Sequence, residues 1–149
     1  MSSDCSDSRI RAFGMLLETH AALTAAVGRD LERDTGLALT WFEVLIRLER
    51  SPGQHLRMSD LASQIALSTS GLTRVIDGME KVGLVERKSC PEDRRVLHAV
   101  LTSAGKDALM KAIPAHLQSL ETHMVEPLGI DRMNEMASML EQLRDASLH

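Results

Sequence analysis

Two clusters of side chains in this 149-residue chain have the types and spacing to do chemistry, and in both it is non-covalent contact with an anionic partner. The first is Ser68, Thr69, Ser70, Thr73 and Arg74, short hydroxyls followed by one long donor. Short polar side chains let a helix approach a duplex closely, and an Arg can make paired hydrogen bonds to guanine O6 and N7. The free N–H groups of a helix starting here favour a phosphate. The second is Arg87 and Lys88 followed by Asp93, Arg94 and Arg95. A cation at a loop tip suits a narrow minor groove, and Arg87 and Lys88 are candidate phosphate contacts. Both clusters have a plainer reading. The hydroxyls are also ordinary turn and cap residues, and paired Arg residues are common at solvated hairpin tips. Asp77 and Lys81, one turn apart, read as a surface ion pair rather than base readers.

The elements that must hold these clusters follow from periodicity. Residues 1–8 are small and polar and read as a tail. Ile10, Phe13, Leu16, Leu17, Leu23, Val27 and Leu31 then recur with helical spacing, and Gly36 is a stop signal. Thr40 with Glu43 predicts a capping box, with Leu39 and Val44 as its staple, for a helix to about Arg50. Ser51-Pro52-Gly53 ends it. Leu56-Arg57-Met58 reads as a short strand and Ser59 as the cap of a third helix, over 60–66. After the corner Leu67-Ser68-Thr69, a fourth helix from Ser70 places Leu72, Val75, Ile76, Met79 and Val82 on one face. Ser70, Thr73, Arg74, Asp77 and Lys81 fall on the other, and Gly83 ends the helix. Gly78 within it costs about 1 kcal/mol relative to Ala, so tertiary packing must hold it.

The period then changes to that of a hairpin. Leu84–Lys88 and Arg95–Leu101 are extended runs around a charged loop, residues 89–94. Thr102 caps a fifth helix with Leu109, Ile113, Leu117, Leu120 and Met124 on one stripe, and Pro114 predicts a kink there. Pro127-Leu128-Gly129 breaks the chain before a last helix carrying Met133, Met136, Leu140 and Leu143. The fold class expected is mainly α with a small β-hairpin. A winged helix-turn-helix lobe occupies 38–101, between a tail and helix at 1–37 and C-terminal helices at 102–149. The lobe is too small to cover the apolar stripes of the outer helices. That predicts interlocking N- and C-terminal dimerisation helices in a two-fold homodimer.

Composition narrows the function. Residues 56–106 hold 8 basic and 6 acidic side chains, whereas 1–55 hold 6 and 8 and 107–149 hold 3 and 7. The net charge of −4 therefore conceals a modest positive segment. Aromatic residues make up 2%, too few for a stacking platform on single strands. Cys5 and Cys90 form no CxxC or CxxH spacing, so neither a structural zinc nor another metal is indicated. His116 and His123 are two helical turns apart, too far to share one ion. No nucleophile–base pair or phosphate loop appears, so the expectation is a non-enzyme without a cofactor. The start MSSDCSDSR lacks the pattern of a signal peptide and no segment can span a bilayer. A cytoplasmic location with reduced thiols is expected.

The stretch LASQIALSTSGLTRVIDGMEKVGLVERKSCPEDRRVLHAVLTSAGK, residues 61–106, resembles the MarR family of bacterial transcriptional regulators. The likeness is carried by Ser68-x-Ser70-x-x-Thr73-Arg74, Leu84-Val85-x-Arg87, Asp93-Arg94-Arg95 and Leu101-Thr102-x-x-Gly105. It implies an obligate homodimer on double-stranded DNA with a pseudo-palindromic operator. It also implies repression, with release by a small molecule, an oxidant or a metal. By the same resemblance Asp93 holds Arg95. Candidate effector contacts are Arg11, His20, Trp41 and Phe42, of which the two aromatics also read as core and His20 as an interior or interface histidine. Cys90 beside Arg87 and Lys88 reads as an unreactive thiol or, less simply, a redox centre. The alternative to a DNA-binding regulator is a winged-helix module for protein interaction or assembly, supported by the acidic overall charge.

Overall fold

The computed structural model describes residues 4–148, which divide into two compact units. The first is Leu31–Ala115. It begins with the end of α1 (Ser8–Thr35), which Gly36 stops at a φ of 74°. Then come α2 (Leu39–Arg50), β1 (His55–Arg57), α3 (Met58–Gln64), α4 (Thr69–Lys81), β2 (Val85–Ser89) and β3 (Leu97–Leu101). The unit ends within α5 (Ser103–Leu120). The expected lobe at 38–101 lies inside it.

The chain is mainly helical with one antiparallel sheet of strand order β1-β3-β2. The sheet has one strand more than the hairpin. β1 lies at His55–Arg57, one residue earlier than expected, and pairs with β3 through His55↔Val100 and Arg57↔His98. β2 pairs with the other edge of β3 from Val85↔Leu101 to Ser89↔Leu97. The period-two alternation turns Val85, Ala99 and Leu101 into the core. They meet Leu31, Phe42, Val44, Leu45, Leu48, Leu61, Leu72, Ile76, Met79 and Leu109 in one buried cluster, aliphatic except for Phe42.

Three start signals moved. The capping box at Thr40 and Glu43 does not form, because α2 already begins at Leu39 behind an extended Ala38 with no side-chain cap. Thr40 then lies inside the first turn, and Glu43 pairs with Arg47 one turn on, at 3.2 Å. α3 starts at Met58 directly after β1, so Ser59 is inside it rather than its cap. α4 starts at Thr69, one residue earlier than read, with Ser68 as N-cap.

The junction around Gly105 explains a motif that the sequence only displayed. The Thr102 hydroxyl accepts from the Gly105 N–H at 3.0 Å and donates to the Gly83 carbonyl at 2.6 Å. A Cβ on Gly105 would lie 2.1 Å from the Leu84 carbonyl oxygen. Glycine is thus what lets α5 start hard against the strand entering the wing. Gly78 has a similar cause: a Cβ there would lie 3.0 Å from Trp41 Cζ2. The packing that offsets its helix penalty is the indole ring.

The second unit joins the described residues up to Asp30 with those from His116 onward. After α5, which runs through Pro114, a π-turn occupies Glu121–Val125. A short α6 (Glu126–Leu128) follows, then Gly129 with a φ of 82° and α7 (Ile130–Ser147). Asp30 accepts a hydrogen bond from the buried Ser119 hydroxyl at 2.7 Å, and His123 Nε2 stands 2.9 Å from the same oxygen. The apolar stripes are only partly covered. Ile10, Phe13, Leu16 and Leu17 on α1 and Ile130, Met139, Leu140 and Leu143 on α7 stay exposed. None of the described helices is long and apolar enough to cross a membrane.

Candidate nucleic-acid interface

The first cluster lies at the start and outer face of α4. Leu72, Ile76 and Met79 anchor that helix in the core, which leaves Thr69, Ser70, Thr73 and Arg74 exposed on the opposite side. Ser68 serves the helix itself: its Oγ accepts from the Gly71 N–H at 3.0 Å and lies 3.2 Å from Ser70 Oγ. A Ser in this place is worth roughly 1 kcal/mol of capping over Ala. Thr73 donates to the Thr69 carbonyl at 2.9 Å. Thr69, Ser70 and Arg74 are therefore the side chains most open to a partner, and Arg74 makes no ion pair among the described residues.

The wing treats its basic residues differently. Arg87, read from sequence as a phosphate contact, is turned inward. Its guanidinium donates to Glu80 Oε1 at 2.9 Å, to Asp77 Oδ1 at 2.6 Å and to the Thr73 carbonyl at 3.1 Å. Its backbone N–H donates to Glu80 Oε2 at 3.0 Å, and its side chain is only 20% exposed. Two carboxylates and a carbonyl already use the guanidinium fork, so Arg87 ties the root of the wing to α4 instead of facing outward. The same contacts correct the reading of Asp77, whose partner is Arg87 rather than Lys81. Spacing along one helix suggested Lys81; the contact across two elements left no local signal.

At the tip, Asp93 accepts from the Arg95 backbone N–H at 3.0 Å, from its Nε at 3.2 Å and from its terminal nitrogen at 3.4 Å. These bonds, the side-chain one foremost, hold the Asp93 carboxyl below the usual carboxylate range. Arg95 itself is 91% exposed. Its neighbour Arg94 is exposed and makes no ion pair among the described residues. Lys88, also exposed, stands 3.7 Å from Glu86, a loose surface contact. One tip cation is thus oriented and the other is free.

The candidate effector residues do not form one site. Phe42 is 1% exposed, so it is core and has no surface to offer a ligand. Trp41 is occupied against Gly78. His20 borders an apolar cavity of about 420 Å³ in the other unit, with Met15, Leu16, Leu23, Met124, Met136 and Leu140 among its walls, and Arg11 is not one of them. Cys90 is a half-buried free thiol and Cys5 an exposed one.

A three-stranded wing behind a helix-turn-helix, with an open donor at the start of the second helix and cations at the wing tip, defines a winged-helix protein of the type that reads duplex DNA. The family model described as MarR family matches residues 37–97. AbsC, a MarR family transcriptional regulator from Streptomyces coelicolor, is 32% identical in sequence. Its structure superimposes with a TM-score of 0.82 over 97% of each chain. The chain belongs to the MarR family. Sco3205 of the same organism, a MarR family regulator solved in complex with DNA, is 26% identical, with a TM-score of 0.80 over 91% of this chain and 88% of its own. The transcriptional repressor MprA of Escherichia coli is 35% identical over 79 residues, 53% of this chain and 45% of MprA. The chain thus matches less than half the length of that curated relative.

Proposed function

We propose that the protein is a homodimeric, sequence-specific DNA-binding transcriptional regulator of the repressor type, cytoplasmic, released by a small-molecule effector. The observation that carries this reading is the division of labour among the charged side chains of α4 and the wing. Arg87 and Asp93 are spent on holding α4 and the wing tip in place, while Arg74, Arg94 and Arg95 are left open on those two elements. A module for protein assembly has no need to pin a wing and leave its tip cationic. The DNA complex of Sco3205 supports the reading by likeness. Arg74 is the base reader in this scheme, Thr69 and Ser70 approach the backbone, and Arg94, Arg95 and Lys88 meet phosphates or the minor groove. The exposed apolar faces of α1 and α7 receive the second copy. The cavity beside His20 is walled almost wholly by apolar groups, which suits a small apolar effector; Leu16 and Leu140 belong both to it and to the face that the second copy covers.

The test is an affinity comparison. The operator is selected from random duplexes by the purified protein, and binding is then followed by fluorescence anisotropy at several salt concentrations. The wild type is expected to prefer operator over scrambled DNA. Arg74→Ala is expected to lose about 1–3 kcal/mol per half-site on operator and little on scrambled DNA. Equal affinity of the wild type for both duplexes would overturn sequence-specific reading.

A further inference from the structure

The sheet carries a pair of imidazoles that the proposed DNA reading leaves without a role. His55 on β1 lies opposite Val100 and His98 on β3 lies opposite Arg57, so the two histidines are diagonal neighbours on one face. Their Nδ1 atoms stand 3.0 Å apart, with ring centroids at 5.0 Å and planes tilted by 42°. The rings therefore meet through nitrogen rather than by stacking face to face. They border a cavity of about 370 Å³ whose walls include Lys88, Cys90, Glu92 and Val100. His98 Nε2 is shut off from solvent without a hydrogen-bond partner. Nδ1 is therefore the nitrogen through which His98 can engage a ligand.

We propose that His55 and His98 form a binding site for a divalent transition-metal ion of the zinc, nickel or copper kind, held between the two Nδ1 atoms. Imidazole suits these ions, whereas magnesium and calcium take oxygen ligands. With metal–nitrogen bonds of about 2.0–2.1 Å in tetrahedral geometry, two ligating nitrogens stand roughly 3.3 Å apart. The pair needs to open by only a few tenths of an ångström. In the site as proposed, the empty neutral pair has His55 Nδ1 donating to His98 Nδ1, with the His98 proton on its shielded Nε2. On binding, that proton moves to Nε2 of the same ring through water, which the exposed His55 permits, so both rings stay neutral and no proton is lost. No group of three or more His, Cys, Asp or Glu among the described residues forms a ligand set, so water completes the coordination. The ion would pin β1 to the central strand of the wing. The site stands on the cross-strand geometry and does not depend on the DNA reading.

The test uses full-length, tag-free protein carrying Cys5→Ser and Cys90→Ser, so that no thiol competes. Zn2+ is titrated against a chromophoric chelator, and Ni2+ is added while the histidine ring signals are followed by NMR. One ion per chain is expected, with broadening centred on His55 and His98. His55→Ala and His98→Ala should each weaken binding by about tenfold or more. His55 is exposed, so its variant should keep the fold, checked by circular dichroism and melting. Absence of uptake, affinity unchanged in the folded His55→Ala variant, or broadening centred on His20, His116 or His123 would overturn the site.

Discussion

The two units of the chain solve the burial problem in opposite ways. Leu31–Ala115 completes its own core: eleven large side chains from Leu31 to Leu109 are fully buried there, and close backbone contacts such as Gly105 on Leu84 lock the wing to α5. The unit built on the rest of α1, the π-turn and α7 leaves large apolar side chains in water. Phe13 is 62% and Leu143 58% exposed. A run of such residues at helical spacing on two helices is a face made for another surface. One unit is thus finished by its own sequence, while the other leaves apolar faces open, which the proposed second copy would cover. Stability of the first should answer to local packing and that of the second to protein concentration.

The most severe way to break the finished unit is Gly105→Ala. The new Cβ would meet the Leu84 carbonyl oxygen at 2.1 Å, and backbone cannot give way as a flexible side chain can. A loss of about 3 kcal/mol or more is expected, read as a fall in Tm on the order of 10 °C. An unchanged Tm would mean that the strand entry and α5 are not held as tightly as the core suggests.

Next comes Leu143→Asp, which probes the unfinished unit. In an isolated chain an exposed leucine can be replaced at a cost within about 0.5 kcal/mol. If the face is closed by a second copy, the change removes roughly 2–3 kcal/mol of apolar burial and places a charge in the interface. Sedimentation should then show loss of the dimer, and the wild-type Tm should rise with protein concentration while that of the variant does not. A variant with wild-type assembly and Tm would show that α7 faces solvent.

The same contrast explains what was legible beforehand. The helix order, the polar corner at Ser68–Ser70, the hairpin and the caps at Thr102 and Gly83 are local patterns. Local patterns survive folding when core and periodicity agree. Contacts across elements were not legible. Nothing in the spacing of Arg87 says that it reaches back seven and ten residues to Glu80 and Asp77. Nothing in His55 and His98, 43 positions apart, says that β1 adds to the hairpin and brings them together. The capping box at Thr40 failed for the converse reason: a good local signal was overridden by a helix beginning at Leu39, with Ala38 in the N-cap place two residues before Thr40. Trp41 and Phe42 share a sequence neighbourhood but not an environment, since one sits against Gly78 and the other in the core.

A smaller effect separates the two kinds of arginine within the finished unit. Arg87→Met removes a partly buried fork whose partners, Asp77 and Glu80, remain hydrated at 52% and 40% exposure. The stability cost is therefore modest, about 1 kcal/mol. Operator affinity should fall because the wing loses its tie to α4. The slope of log K against log salt should not change if the Arg87 guanidinium stays on Asp77 and Glu80 rather than on a phosphate. Arg95→Ala should instead lower the magnitude of that slope by about 1 on operator and random DNA alike. A slope change in Arg87→Met would return Arg87 to the phosphate contacts that its sequence position suggested.

The smallest and most discriminating change is at Asp93. Removing a negative charge from a DNA-binding tip should, by charge counting, tighten binding to every duplex. The geometry argues the opposite sign. Asp93 fixes the turn through the Arg95 backbone N–H and orients the guanidinium through Nε and a terminal nitrogen. Without it, an almost fully exposed Arg95 must give up its side-chain freedom on DNA instead of beforehand. Asp93→Ala is therefore expected to weaken operator binding by about twofold to fivefold, the scale of one exposed pair. Asp93→Asn separates the two roles. Its amide oxygen can still accept from the Arg95 N–H and keep the turn, but it lacks the charge that holds the guanidinium. If the turn matters most, Asn restores nearly all of the affinity. If the oriented cation matters most, Asn binds about as weakly as Ala. Tighter binding by Asp93→Ala, with fold and dimer intact, would leave Asp93 an ordinary solvated turn residue and make Arg95 as free as Arg94.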